Sequence, residues 1–319
     1  FMVTPGNALA FDGGDDYATA SNPNLSPPMS VEFWVKLNST NTASQILTQF
    51  GGGGIYIGRY TQGRVLAFFD GSSSNNSAAD ESTLNLLDDQ WHHIAATTDG
   101  TTTRLYIDGA LEVSHSETAT AGVSALYLGA NQGTAAYMNG SLDEIRIWDD
   151  ERTLTEITDN RYNTITGSEA GLVAYYRFDE NTGTTLPDLA GTNDGTLINM
   201  AGTEWTTSGA MTPEAPVISN AYNVTTTSID VDFTVPTGAT DILIDIDDDP
   251  AFGSPGATNI SVGTSGTFNV SGQSFTAGIP YYFRARALYA GGTSDNVVSN
   301  SFMVTPGNAL AFDGGDDYA

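Results

Sequence analysis

The side chains in this sequence best suited to chemistry are acids. Asp12, Asp15 and Asp16 stand in a glycine-rich stretch, FDGGDDY. Carboxylates and carbonyls so spaced supply hard oxygen ligands, of which Ca²⁺ takes roughly six to eight. Asp143, in LDEIRIW, shares strand parity with Ile145 and Ile147. If those two face a core, so does its carboxylate, and a buried charge is costly unless paired, hydrogen-bonded or coordinated. Asp143 with part of Asp12, Asp15 and Asp16 therefore reads in two ways. It is a structural Ca²⁺ site, or these side chains cap tight turns by accepting from backbone N–H groups. Asp188, Asn193 and Asp194, in PDLAGTNDG, form a second set with the same two readings. Asp245, Asp247, Asp248 and Asp249 follow an apolar strand. They make either a solvated loop or a cation-bridged contact with a neighbouring domain or chain.

Other chemistries are poorly supplied. Tyr56, Tyr60, Tyr127, Tyr137 and Trp148 could stack on a pyranose, with nearby Asn and Asp reading its hydroxyls. Trp148 shares parity with Arg146 and Glu144, which would turn it outward; the alternative is an aromatic that covers the sheet or meets the next domain. His92 and His93 are adjacent on a strand and point to opposite faces, so they cannot share a ligand sphere, and His115 is the one other histidine. Glycan hydrolysis needs two carboxylates about 5–10 Å apart across a cleft, whereas Asp143 and Glu144 fall on opposite faces. No phosphate-binding loop, serine elbow or zinc motif occurs, and there is no cysteine. No enzyme activity is expected.

Charge narrows the partners. Ten Lys and Arg stand against 38 Asp and Glu, a net charge of −28. Nucleic acid and anionic membranes need positive charge, so neither is expected, while cations are favoured. No run of apolar residues is long enough to insert into a membrane. The 14 Phe, 14 Tyr and 4 Trp supply real cores, so this is not an acidic disordered tail.

The elements that would position these residues are strands. Val31, Phe33, Val35 and Leu37 alternate with Glu32, Trp34 and Lys36; Leu105 and Ile107 alternate with Arg104 and Tyr106. Ile229, Val231 and Phe233 alternate with Asp230 and Asp232, and Ile242, Ile244 and Ile246 with Leu243 and Asp245. Period two marks half-buried strands, and Asp99-Gly100, Asp108-Gly109 and Asn139-Gly140 read as turns between them. One short helix is predicted at about 153–162.

The ends carry a repeat. Residues 1–18, FMVTPGNALAFDGGDDYA, recur letter for letter at 302–319, a period of 301 residues. The chain therefore reads as a window on a tandem array. Pro213 and Pro216 mark a boundary. The reading is all-β: residues 1–4 end a preceding small domain, 5–212 form a large sandwich, 213–304 a small one, and 305–319 open the next copy. The joint between copies is Thr305-Pro306-Gly307, too short for free flexing.

Residues 8–17 (ALAFDGGDDY), 30–37 (SVEFWVKL), 91–109 (WHHIAATTDGTTTRLYIDG), 140–152 (GSLDEIRIWDDER) and 171–178 (GLVAYYRF) resemble, in order, the laminin-G-like, concanavalin-A-like jelly-roll family. That resemblance implies a structural calcium between the first strand and a late one, and a fold shared by lectins, adhesins, hydrolases and spacers. Residues 228–235, 240–246 and 281–287 resemble a fibronectin type III domain of the immunoglobulin-like class, with Tyr281 at the tyrosine corner. Tandem pairs of this kind look like segments of giant bacterial surface adhesins and filaments, many exported by the type 9 route. The implied role is a structural and adhesive repeat of a secreted or cell-surface fibre. Its partners would be neighbouring repeats, a homo-oligomeric bundle and surface glycans. A calcium-dependent glycan-binding module is the alternative.

Overall fold

The computed structural model describes residues 6–40, 44–49, 53–59, 63–70, 80–211, 215–236, 239–253, 256–289, 292–294, 297–298 and 301–303. The chain divides into two compact units, Phe1–Thr212 and Pro213–Ala319.

The first unit opens with β1 (Asn7–Asp12), β2 (Tyr17–Ala20), β3 (Met29–Leu37), β4 (Ser44–Thr48), β5 (Tyr56–Arg59) and β6 (Val65–Phe68). It continues with β7 (Trp91–Thr98), β8 (Thr102–Ile107), β9 (Ala110–Ser116), β10 (Leu126–Leu128) and β11 (Asn139–Trp148). After α1 (Leu154–Asn160) come β12 (Leu172–Tyr176), β13 (Thr185–Leu186), β14 (Gly195–Ile198) and β15 (Trp205–Thr207). These strands form two sheets. One runs β15-β1-β11-β3-β7-β8-β9, with β12 also on β11; the other runs β13-β14-β2-β10-β4-β5-β6. Every named pairing is antiparallel. Between the sheets lies a single apolar core that includes Leu9, Phe11, Val31, Phe33, Val35, Leu37, Ile94, Leu142, Ile145, Ile147 and, from the second sheet, Leu47, Ile57, Val65 and Leu128. This is a jelly-roll-like sandwich.

Asp108-Gly109 makes the turn between β8 and β9, with φ of 51° and 81°. That is the left-handed pair a two-residue hairpin turn requires. Asn139-Gly140 differs from the expected turn: both residues lie inside β11. The glycine is needed there because a Cβ would meet the Lys36 carbonyl oxygen at 2.2 Å. β3 also differs from a half-buried strand. Glu32 and Trp34 are as buried as Val31 and Phe33, because α1 and the segment after it cover the outer side of the sheet. The helix is shorter than expected. Thr153 caps it in a capping box with Glu156, and Ile157 packs on Ala95 and Tyr106.

The second unit contains β16 (Val217–Tyr222), β17 (Ser228–Thr234), β18 (Asp241–Asp247), β19 (Ala257–Ser261), β20 (Thr267–Ser271) and β21 (Pro280–Tyr289). Three short strands follow, β22 (Gly292–Thr293), β23 (Val297–Val298) and β24 (Phe302–Met303). One sheet runs β16-β17-β20; the other runs β19-β18-β21, with β22, β23 and β24 all pairing with β21. Ile229, Val231, Phe233, Ile242, Ile244, Ile246, Phe283, Ala285 and Ala287 are buried, in keeping with their alternation in sequence. The Tyr281 hydroxyl accepts from Thr276 N–H at 2.9 Å and so ties down the preceding loop.

Candidate functional site

The acids of the opening turn are occupied by their own backbone. Asp12 Oδ1 accepts from Gly14 N–H at 2.6 Å, and Asp16 Oδ2 from Asp12 N–H at 3.2 Å. Asp15 faces out, its carbonyl held by the Asn199 amide at 3.0 Å. Asp143 does not join them. The register pairs Asp12 with Asn139, four residues along β11 from Asp143 and so about 13 Å away at ~3.3 Å per residue.

Asp143 also lies on the other side of its sheet from the expected one. β11 bulges against β3 between Asp143 and Arg146, and Glu144 takes φ of 53°. The extra residue breaks the alternation. Leu142, Ile145 and Ile147 all reach the core, while Asp143 is turned out and capped by the Ser208 hydroxyl, which donates to Oδ2. Burial, only partly offset by that hydroxyl, pushes the Asp143 carboxyl up to about 8.

Asp188 and Asp194 organise a loop. Asp188 Oδ1 accepts from the N–H groups of Tyr175 at 2.9 Å and Ala190 at 3.0 Å, Oδ2 from that of Asn193 at 3.1 Å, and Asp194 Oδ1 accepts from Asp188 N–H at 2.9 Å. Among the described residues, no three His, Asp or Glu side chains are grouped to hold a metal ion.

The bulge builds a polar layer that alternation does not reveal. On the outer side of the first sheet, Arg146 donates to Glu144 at 2.9 Å and to the carbonyls of Asn160 and Asn163 at 3.0 and 2.5 Å. Tyr175 donates to the same Glu144 oxygen at 2.7 Å, and Trp148 Nε1 to Glu32 at 3.0 Å. His93 Nε2 stands 3.6 Å from the other Glu32 oxygen. Burial raises the Glu32 carboxyl above its ordinary range although Arg146 opposes it. Burial and the cations of Arg146 and Arg161 hold His93 well below its ordinary value. Trp148 is thus interior, 2% exposed, with the Arg152 guanidinium 4.2 Å over its ring. It lies on the outer side of the sheet, as parity reads, but it is covered there and presents no face to a sugar.

The second sheet carries the more open arrangement. Residues paired directly across strands share a face, and the registers align Thr196, Thr19, Tyr127, Thr48, Tyr56 and Phe68 in one row across five neighbour pairs. The row lies opposite the core, since Ala18, Leu126, Leu128 and Ile57 take the inward positions. One end is closed: Thr48, Tyr56 and Phe68 are buried, so Tyr56 is unavailable for stacking. The other end is open, with Thr196 exposed and Thr19, Tyr17 and Tyr127 half-buried. The Tyr17 and Tyr127 rings lie 6.2 Å apart, tilted by 40°. The half-buried Tyr137 donates its hydroxyl to the Gly133 carbonyl at 3.1 Å, and a Cβ on Gly133 would meet the Tyr17 ring at 2.6 Å. Tyr60 lies outside the described residues. Two aromatic faces flanked by hydroxyls can hold the C–H face of a pyranose while pairing its hydroxyls. Alternation alone marks Tyr17 and Thr19 as sharing a face; adding Tyr127 and Thr196 requires the strand order.

Residues 12–158 match the family model described as the concanavalin A-like lectin/glucanases superfamily. The first unit accordingly carries a concanavalin A-like, laminin-G-like domain. No curated protein matches significantly. Among solved structures, the chain is similar to a candidate carbohydrate binding protein from Bacteroides ovatus, at 18% identity and a TM-score of 0.53, covering 65% of this chain and 61% of that one. It also matches domain 4 of AbnA, an extracellular arabinanase from Geobacillus stearothermophilus, in complex with arabinotriose. There the identity is 22%, the TM-score 0.40, and the coverage 48% of this chain and 75% of that one. The carbohydrate-binding module of Ruminococcus gnavus IT-sialidase, bound to α2,3-sialyllactose, matches at 15% identity and a TM-score of 0.37, over 47% of this chain and 93% of that one. The likeness to the Bacteroides protein shows the fold, and this chain spans about three-fifths of its length.

Proposed function

We propose that the chain is one repeat of a secreted or cell-surface adhesive array, in which β-sandwich units are strung in series. The observation that carries this reading is the verbatim recurrence of residues 1–18 at 302–319. The position of Phe302 supports it. β24 pairs with β21, and the Phe302 ring stacks on Phe283 at 4.6 Å, so the repeated segment begins as the last strand of a second-type unit. The second unit reads as fibronectin-III-like from its three-stranded sheet facing a sheet centred on β18 and β21. A charge of −25 per 301-residue repeat would keep neighbouring arrays apart unless cations bridge them. Type 9 export and bundling of several chains belong to the same proposal. Compact-domain scaling puts the two units at about 40 and 30 Å, a rise of about 70–75 Å per repeat if strung end to end. Electron microscopy of a chain of several consecutive repeats tests this: beads at that spacing support it, and a single compact particle overturns it.

The open end of the second sheet favours an added reading, that the first unit binds glycans on Tyr17, Tyr127, Thr19 and Thr196. The fold shared with the Bacteroides candidate carbohydrate binding protein supports it. Dependence on Ca²⁺ has less support, since backbone donors take Asp12, Asp16, Asp188 and Asp194, and Asp143 is held apart from them by the Ser208 hydroxyl. A glycan array, run with calcium and with EDTA, should show discrete sugars bound by the native protein and lost in Tyr127→Ala. Absence of binding leaves the array as a scaffold only.

A further inference from the structure

On the tandem reading, the joint between two repeats is anchored on both sides. Residues 302–319 repeat residues 1–18, so Gly307 takes the place of Gly6 in the repeat that follows. In the first unit the chain is held from Gly6 on. The Gly6 carbonyl accepts from Ser208 N–H at 2.9 Å. The Asn7 amide donates to the carbonyls of Asp179 at 3.3 Å and Glu180 at 3.1 Å and to Asn181 Oδ1 at 2.7 Å, and the Asn7 N–H donates to Asp179 Oδ1 at 3.2 Å. In the second unit Met303 is paired with Pro280 through β24. Three residues, Val304, Thr305 and Pro306, separate Met303 from Gly307. Four Cα steps span at most about 14 Å, so the surfaces around the two anchors are held within reach of each other.

Each of those surfaces carries apolar area that its own unit leaves open. In the second unit Phe302 turns inward onto Phe283, but Met303 is 47% exposed, and Ile279, next to its partner Pro280, is 38% exposed. In the first unit Trp91 pairs with Lys36 on the outer side of the first sheet and is half-buried. Its indole lies against Gly209, with Cδ1 and Nε1 3.4 Å from the position a Cβ would take there. Gly209 directly follows Ser208, which holds the Gly6 carbonyl. The open part of the Trp91 ring therefore stands beside the point where the chain enters the unit.

We propose that Met303 and Ile279 of one repeat dock on the Trp91 indole of the following repeat, making the joint a seated contact rather than a free hinge. The occupant is the next copy of this sequence, so the proposal rests on the tandem-array reading. Three features select it. Chain continuity brings these two surfaces together and no others. Their chemistry matches, since a flexible thioether adapts to an aromatic ring and sulfur–aromatic contacts are favourable. A short tether holds the partners at an effective concentration on the order of millimolar, so a contact too weak to join separate chains is still populated within one. The contact is apolar and needs no cation to bring two acidic units together, which separates it from calcium bridging.

The experiment is fluorine NMR on a chain of two consecutive repeats labelled with 5-fluorotryptophan. Each repeat carries four tryptophans, and Trp91→Phe in one repeat at a time assigns the two Trp91 signals. Trp91 of the second repeat follows a second unit, and Trp91 of the first does not. Two separate signals are expected, with and without EDTA. Met303→Asp in the first repeat, at an exposed position, should merge the second signal with the first, and Ile279→Asp should move it part of the way. Val298→Asp should leave both in place: Val298 is as exposed, at 46%, but pairs with Arg284, about 13 Å along β21 from Pro280. The proposal is overturned if the two signals coincide, if Met303→Asp folds and leaves them apart, or if EDTA merges them. Electron micrographs of the same chain distinguish this failure from failure of the tandem reading. Beads in series with coincident Trp91 signals keep the array and overturn the seated joint, whereas one compact particle overturns the array and the joint with it.

Discussion

Replacing Asp143 by Asn should make the first unit more stable at pH 8, and by clearly less at pH 5. The carboxyl titrates near 8 in the folded protein, against 3.8 for an ordinary aspartate, chiefly because it is buried. Between those values the folded state holds a proton that the unfolded state has released. Stability therefore falls as pH rises through the window, and it is fully retained only below the unfolded value. Moving from pH 5 to pH 8 crosses about three pH units at about 1.4 kcal/mol each, an upper bound near 4 kcal/mol. Relaxation and water entry bring the expected difference to about 2–4 kcal/mol. An asparagine keeps an oxygen for the Ser208 hydroxyl, which itself accepts from Ala210 N–H at 3.0 Å, so the cap survives. The assay is urea unfolding followed by tryptophan fluorescence. Trp34, Trp91, Trp148 and Trp205 all lie in the first unit, so the signal reports that unit. Glu32 and His93 titrate in both proteins, and the difference between the two removes them. Parallel stability curves for native and Asp143→Asn from pH 5 to 8 would refute the burial argument.

Removing the Arg146 cation by Arg146→Met should cost about 3–5 kcal/mol, because buried Glu144 loses its ion-pair partner and buried Glu32 the stronger of its two cationic neighbours; thermal unfolding checks it. Gly140→Ala should destabilise by about 2–4 kcal/mol, since the new methyl meets the Lys36 carbonyl and separates β3 from β11, seen as a lower urea midpoint. Thr153→Ala, which deletes the capping box of α1, should cost about 1 kcal/mol and increase amide exchange at Glu156 and Ile157.

Much of the sandwich is legible in the sequence because its strands obey period two and its hairpin turn carries Asp-Gly. The inward set of β3, β17 and β18 follows directly from alternation. What alternation cannot show is a bulge. One extra residue at Glu144 moves Asp143 away from the core face, and with it the proposed partnership with Asp12 and Asp16. Nor does alternation show what covers the outer face: Trp148 reads as exposed until α1 and the segment after it are placed over the sheet. The acids of the Gly-rich turn looked equally able to bind a cation or to cap a turn, and backbone N–H groups occupy Asp12 and Asp16. The Tyr17 and Tyr127 pair was only half visible, because the two residues lie 110 positions apart and meet through the strand order. Asp245 and Asp247 stood out in sequence as two of four acids on one face of a strand, but that the first stands opposite Arg284 and the second opposite Tyr282 depends on the register of β18 with β21.

The most direct test of the tandem-array account is cryo-electron microscopy of a chain carrying at least three consecutive 301-residue repeats. The account predicts an extended string of paired sandwiches with an axial period of about 70–75 Å per repeat. A collapsed particle with no period, or a period unrelated to the two unit sizes, would contradict it.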